Sequence, residues 1–369
     1  MTATPTTSYV AAAPATGTDD VRRLSLLKPT GHLTLGNYLG AIRAMVADQK
    51  SATCFFGIAD LHALTVPHDP ARLRALIDEM KVLLLACGLD PRGTDSHETD
   101  PHGTDSTGAT LFVQSEVPAH SELSYLLEST AYTGELNRMI QFKEKGRGRP
   151  QTRVSLYTYP ALMAADILLY RASEVPVGDD QRQHVELTRD LAIRFNSTYG
   201  EVFTVPEITT PPTGARVMDL QDPTTKMGKS HDSGAGIVYL LDDPASVRRK
   251  ISRAVTDSDS GPGAVRYDTA AKPGVSNLLD IIASCEGRDP VATAAGIPSY
   301  GDLKRRATDA VLATLEPIQE RYADLVADPD AVASVYAEGA ERCRAETAPV
   351  LAAARRAIGV GGRSFIKVC

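Results

Sequence analysis

The sequence predicts an α/β fold: a Rossmann-type, doubly wound parallel sheet with a smaller all-helical domain. Three observations lead there. Short apolar runs beginning at Leu24 and spanning 53–58, 110–114 and 174–177 alternate with stretches of helical period. Strands that alternate with helices make a parallel sheet with crossover helices. After about residue 206 the character changes: Pro211-Pro212, Gly214 and Pro223 mark loops, and long helical patterns fill 301–327 and 329–357. Finally, the first strand runs through a Gly-rich turn into a helix, which suits a phosphate-bearing ligand.

That turn lies in residues 24–43. Pro29, Thr30 and Gly31 break the first strand, and a helical pattern starts near Gly36 with Leu39, Ile42, Met45 and Val46 on one face. Free backbone N–H groups and the positive helix end point to one place. Glycine at 36 lets a ligand approach the backbone closely. Spacing alone equally fits an ordinary strand–helix turn, and the pattern is neither the dinucleotide fingerprint nor a P-loop. Residues 53–58 form the second strand, with Asp60 and His62 at its C-terminal end, where open α/β sheets place ligands. Asp69-Pro70 opens a helix with an apolar stripe from Leu73 to Cys87, and Gly88 stops it.

Residues 92–108 are mostly Gly, Thr, Asp, Ser and His, read as a solvated loop with no defined metal site. The third strand is 110–114. Helical patterns follow at 119–145, then a basic loop at 146–153 and a helix at 160–171 beginning at Pro160. A fourth strand, 174–177, ends at Gly178. Asp179 and Asp180 cap a helix to about Phe195, with Gln183 as capping-box partner. Asp243-Pro244 opens a helix bearing Arg248, Arg249, Lys250 and Arg253, a solvated face or an RNA-phosphate contact.

Composition is that of a soluble globular protein with no membrane-spanning run. The net charge of −7 argues against generic coating of nucleic acid, so an RNA partner needs local basic patches and no DNA partner is expected. The 1–23 tail lacks a secretory core and reads as disordered and cytosolic. Five scattered cysteines, no pair at metal spacing, suit a reducing compartment, and tryptophan is absent from the chain.

Two features point to chemistry. Asp166 shares a helical face with Met163, Ile167 and Tyr170, and a carboxylate on an apolar face is costly unless paired. A rim position meeting water or an arginine is the plain alternative. Lys226-Met-Gly-Lys229-Ser230 sets two ammonium groups three residues apart, which alone reads as a solvated basic turn.

Thr34-Leu35-Gly36-Asn37 resembles the signature of class I aminoacyl-tRNA synthetases, in the form associated with bacterial tryptophanyl-tRNA synthetases. Gln141-Phe-Lys-Glu-Lys145, Tyr159-Pro-Ala-Leu-Met-Ala-Ala-Asp166-Ile-Leu-Leu-Tyr170, the run Val177 to Asp190, and Lys226 to Ser230 agree in order and separation, so the resemblance spans about 24–361. It implies ATP-dependent attachment of L-tryptophan to tRNA(Trp) through an adenylate, with Mg2+ carried on ATP, in a cytoplasmic homodimer. It divides the chain into a tail (1–23), a catalytic domain (24–222, with 92–108 inserted), the Lys226 loop with an anticodon-binding helical domain (223–325), C-terminal helices packing back (326–361) and a tail (362–369).

The resemblance also implies roles. Thr34, Gly36, Asn37, Lys145, Lys226 and Lys229 serve catalysis. ATP is held by Lys28, Pro29, Thr30, Gly36, Asn37, Gly178, Asp179, Asp180 and Val217, with Lys226, Met227, Gly228, Lys229 and Ser230 as a mobile clamp on the triphosphate. Tryptophan is held by Leu24, His62, Tyr159, Met163, Val175, Val177 and Gln181, with Asp166 accepting the indole N–H. Two departures stand out. Gly228 replaces the usual Ser, which loosens the clamp. Lys28 replaces a Gln common in bacterial members, with Leu24 and Leu26 where Phe and Gly are found. Lys offers only donors and a full charge, so an inhibitor-tolerant form is expected. The rivals are a tyrosyl-tRNA synthetase, a non-charging paralogue that binds tryptophan or a protein partner, and a nucleotidyltransferase acting without tRNA.

Overall fold

The computed structural model describes residues 21–91, 108–146, 148–209, 216–228 and 234–361. Residues 1–20, residues 92–107, where the sequence reading expects an inserted loop, Lys229, Ser230, residues 362–369 and the side chains of Asp179 and Asp180 lie outside the described residues. Among the described residues no helix is long and apolar enough to cross a membrane.

Five strands form one parallel sheet in the order β3-β2-β1-β4-β5: β1 Arg22–Leu27, β2 Thr53–Ile58, β3 Ala109–Val113, β4 Glu174–Pro176 and β5 Glu207–Thr209. The chain winds outward from β1 through β2 to β3, then crosses back to β4 on the other side. The topological switch therefore falls between β1 and β4, and ligands of such sheets bind at the carboxyl ends of those strands.

β1 begins at Arg22, not Leu24. Arg22 and Arg23, assigned by sequence to the tail, are drawn into the strand by carboxylates far along the chain. Arg22 pairs with Glu346 at 2.8 Å, and Arg23 with Asp48 at 2.6 Å and Glu174 at 2.9 Å. The sequence reading also lacks β5, a three-residue strand on the sheet edge without an apolar run.

Side chains alternate between two cores, as period-two strands require. Cys54, Phe56, Ile58, Leu111 and Val113 face a core shared with the helix after β1 and with the helical C-terminal half. Leu24, Phe55 and Phe112 face the other core. On the first side lie α1, α2 Asp60–Ala63 and α3 Pro70–Ala86. Helix α1 is one continuous run in three pieces, Leu35–Asn37, Tyr38–Ile42 in a π turn and Arg43–Asp48. Helix α3 starts as its sequence dictates, with Asp69 accepting from the N–H of Arg72 at 2.7 Å and Pro70 at the first position.

On the second side lie α4 Ala119–Glu128, α5 Thr133–Leu136, α6 Ile140–Lys145, α7 Val154–Leu169 and α8 Asp179–Tyr199. Two sequence readings need correction here. Helix α7 starts at Val154, so Pro160 sits inside the helix, buried in the core. A proline in a helix interior forfeits one backbone bond, which packing on both sides offsets. Helix α8 has Gly178 as its N-cap residue, with no side-chain capping bond. Gln183 instead reaches sideways, accepting from the N–H of Ile140 at 3.1 Å and donating to the carbonyl of Arg138 at 3.3 Å.

The remaining chain is helical: α9 Pro244–Ser252, α10 Pro273–Glu286, α11 Pro290–Ala294, α12 Tyr300–Val326 and α13 Pro329–Ile358. Helix α13 returns to the sheet. A Cβ at Gly339 would lie 1.8 Å from the carbonyl oxygen of Leu111 in β3, so only glycine allows this crossing. The Tyr336 hydroxyl donates to the carbonyl of Lys81 at 3.1 Å.

Candidate active site at the topological switch

The turn after β1 carries Lys28, Pro29 and Thr30 into α1. Thr34 is the N-cap: its hydroxyl accepts from the Asn37 N–H at 3.2 Å, while the Asn37 side chain accepts from the Thr34 N–H at 3.1 Å. This reciprocal box fixes the first helical turn. A second brace comes from far along the chain. The Leu35 N–H donates to Val238 at 2.8 Å and Leu240 donates to Leu33 at 3.0 Å, so Thr34 bridges Tyr239 as a strand would. The π turn follows directly, at Tyr38.

The Lys226 segment docks on this turn. Met227 is buried, and a Cβ added to Gly36 would lie 3.5 Å from it, in ordinary contact. The stem is a narrow pairing: Asp219 donates to Thr225 at 2.9 Å and Met227 donates to Val217 at 3.0 Å. Lys226 itself is exposed and Gly228 half-buried. Thus the structure brings Thr34, Gly36, Asn37, Val217, Lys226 and Met227 together.

Two further cations border the cleft. The Lys28 ammonium lies 5.5 Å from the centre of the Tyr159 ring, in cation–π range. Its pKa is held below the ordinary lysine value, first by desolvation and then by the charge of Lys145. Two like charges acting on one another raise the local positive potential. Tyr159 is buried, hydrogen-bonds His184 through its hydroxyl and meets the His62 ring edge-on at 6.2 Å. Burial raises its pKa.

Beneath them lies Asp166, only 2 % exposed. It is neither on a rim nor paired with arginine. Its Oδ2 lies 2.7 Å from His62 Nε2, and its Oδ1 lies 2.7 Å from both Gln114 Nε2 and His120 Nδ1. His120 Nε2 in turn lies 2.9 Å from the Tyr170 hydroxyl. Burial alone pushes the Asp166 carboxyl upward. The charge of His62 and the hydrogen bonds from His120 and His62 outweigh it and hold the group well below the usual carboxylate range. A carboxylate has about four lone-pair positions, and three are used here. Among the described residues, His62 Nδ1 and Gln114 Oε1 are buried polar atoms without a hydrogen-bond partner.

Around this anion the second core gathers the apolar candidates. Leu24 and Val175 belong to it, and Met163 and Val177 pack against it. Gly178 and half-buried Gln181 lie where β4 enters α8.

The family described as tRNA synthetases class I (W and Y) matches residues 17–316. The chain belongs to that family. Among its relatives, the tryptophan–tRNA ligase 1 of Streptomyces avermitilis is 54 % identical over 92 % of this chain and 98 % of its own. The tryptophanyl-tRNA synthetase of Mycoplasma pneumoniae has a similar structure, with a TM-score of 0.81 at 34 % identity, covering 92 % of this chain and 98 % of that one. The tryptophanyl-tRNA synthetase of Campylobacter jejuni, solved with ADP and tryptophan, has a TM-score of 0.72 at 28 % identity, covering 92 % of this chain and all of that one.

Within this class I synthetase chain, sequence reasoning missed Gln114, His120 and His184. Gln114 was read as the last residue of the third strand, which ends at Val113. His120 gave one signal: it shares an apolar helical face with Leu123 and Leu127. A polar group so placed needs a buried partner.

The depressed pKa of Asp166 sets a pH signature. Its contribution to stability is fully present above the unfolded-state value near 4 and is lost as pH falls toward the folded value. Asp166→Asn therefore lowers the unfolding free energy at about pH 5, and the gap to wild type narrows below about pH 4. Urea unfolding across that range measures it; a gap that stays constant down to pH 2 contradicts a buried anion.

Proposed function

We propose that the chain attaches L-tryptophan to tRNA(Trp), and that the buried Asp166 anion at the sheet switch is what selects tryptophan. Relatives at 44–54 % identity over most of the chain are tryptophan–tRNA ligases, which supports this activity. Indole N–H is donor-only, and a carboxylate with three donors and one lone-pair position left suits a fourth donor. Leu24, Tyr159, Met163, Val175 and Val177 supply the walls around the indole, and His62 and Gln181 complete the amino-acid pocket.

ATP is the co-substrate of the family. The tryptophan carboxylate attacks the α-phosphorus of ATP, the bond to the β-phosphate oxygen breaks, and pyrophosphate leaves. The terminal ribose hydroxyl of the tRNA then attacks the adenylate carbonyl, and AMP leaves. Thr34, Gly36 and Asn37 present the helix end to phosphate, with Pro29 and Thr30 shaping the approach. Gly178, Asp179, Asp180 and Val217 hold the nucleoside. Lys28, Lys145, Lys226 and Lys229 stabilise charge on the leaving pyrophosphate, with Met227, Gly228 and Ser230 forming the rest of the clamp. Magnesium carried with ATP neutralises further phosphate charge. No side chain is asked to form a covalent bond, so positioning and electrostatics do the work.

A homodimer is the proposed assembly, and exposed apolar side chains such as Tyr125 in α4, Ile140 in α6 and Val154 in α7 are compatible with it. The cytoplasm is the proposed location. The proposed division is a catalytic domain over 24–222, a tRNA anticodon-binding unit over 223–325 and a returning segment over 326–361.

Amino-acid-dependent exchange of pyrophosphate into ATP tests the reading. Tryptophan supports exchange and tRNA(Trp) charging, while tyrosine and phenylalanine do not. Equal exchange with tyrosine overturns the pocket assignment.

Lys28 adds a finer expectation. Its ammonium stands over Tyr159, between the phosphate turn and the Asp166 pocket. A tryptophan carboxylate and a triphosphate tolerate that charge, whereas an uncharged mimic needing an acceptor there is disfavoured. Lys28→Gln therefore lowers the inhibition constant of such a mimic by about tenfold or more, with the tryptophan KM nearly unchanged. Parallel movement of both constants, or of neither, reduces Lys28 to a phosphate ligand.

A further inference from the structure

Asn277 stands in the second turn of α10, in the helical half of the chain, and is 2 % exposed. Its Oδ1 accepts from the Met218 N–H at 2.8 Å, and its Nδ2 donates to the Met218 carbonyl at 3.0 Å. One amide thus satisfies both backbone groups of a single residue, as a neighbouring strand would. Met218 is the residue that pairs with Lys226 across the stem.

Helix α10 is held along its whole length. At its start, Lys272 is buried between Asp257 at 2.9 Å, Asp259 at 2.7 Å and the Tyr300 hydroxyl at 2.9 Å. Gly274 lies so close to the Val255 carbonyl that a Cβ would come within 2.1 Å. Near its end, Arg43 of α1 donates to the Ser284 carbonyl. Asn277 and Ser284 are seven residues apart, so they share a helical face about 10 Å apart along the axis. One rigid helix therefore touches the stem of the Lys226 loop at one point and the helix of Thr34 and Asn37 at the other.

We propose that Asn277 is a positioning residue for Lys226: through Met218 it makes α10 fix where the Lys226 ammonium stands relative to the phosphate turn. The proposal rests on Lys226 acting as a phosphate clamp. Lysine has a long, flexible side chain, so its reach is set by its backbone. Without Asn277 the two polar groups of Met218 lose their buried partner, and the stem exchanges them for water. The clamp then reaches the leaving group from a wider range of positions, and an error of about 1 Å at a reacting centre costs on the order of a hundredfold in rate.

Single-turnover formation of tryptophanyl-adenylate tests this on the full chain, with Asn277→Ala, Lys226→Ala and the double variant. Asn277→Ala slows the step by about tenfold or more, while tryptophan affinity without ATP is unchanged. The double variant is no slower than Lys226→Ala alone by more than about twofold, because both changes remove one effect. Asn277→Asp keeps the volume and the acceptor but loses the donor, and gives the same pattern. In the wild-type enzyme the Met218 amide is protected from hydrogen exchange before ATP binds. A merely structural Asn277 would slow adenylation by a factor that multiplies with that of Lys226→Ala, and would weaken tryptophan binding alongside. Multiplying effects, an adenylation rate near wild type in Asn277→Ala, or an unprotected Met218 amide overturns the proposal while leaving the clamp reading intact. An unimpaired Lys226→Ala overturns both.

Discussion

A single buried carboxylate organises this molecule. Removing an ion such as Asp166 from water costs several kcal/mol unless good partners surround it. Its partners come from separate elements: His62 from the end of β2, Gln114 from the end of β3, His120 from α4. Asp166 itself rides on α7, the helix that leads into β4. The site therefore exists only when the strands stand in the order β3-β2-β1-β4. Beyond His120 the chain of contacts continues to Tyr170, which is buried in the same core as Cys343 of α13. The returning helix thus belongs to the support of the pocket.

A second constraint is charge placement. The chain is acidic overall, yet Lys28, over Tyr159 at the mouth of this cleft, also feels the charge of Lys145. A continuous line of contacts runs from that mouth inward: Lys28 over Tyr159, Tyr159 against His62, His62 on Asp166. One end is suited to phosphate and carboxylate groups, the other to a neutral N–H donor. On the proposed reading, a tryptophan lying along this line puts its carboxylate at the cationic end and its indole on the anion. Selection and chemistry are then separated along one axis, and neither needs a covalent side chain.

Much of this was legible in the sequence. The four expected strands survive because each is an apolar run or carries a turn signal, while β5 has neither and its pairing with β4 is a tertiary fact. Pro160 looked like a helix start because proline is common there; only packing on both sides of α7 explains its interior position. Gln183 had the spacing of a cap, but a cross-helix partner took its side chain. Asp166 was legible as a carboxylate on an apolar face. Its partners were not, because Gln114 and His120 lie 52 and 46 residues upstream and meet it only after the sheet forms.

The central claim is that the Asp166 anion accepts the indole N–H. The most direct measurement compares tryptophan with its benzothiophene analogue, which keeps the shape and replaces N–H by sulfur. In tryptophan-dependent pyrophosphate exchange the account predicts a fall in kcat/KM of about a hundredfold or more for the analogue, since a buried acceptor is left without its donor. Equal kcat/KM for the two would contradict it.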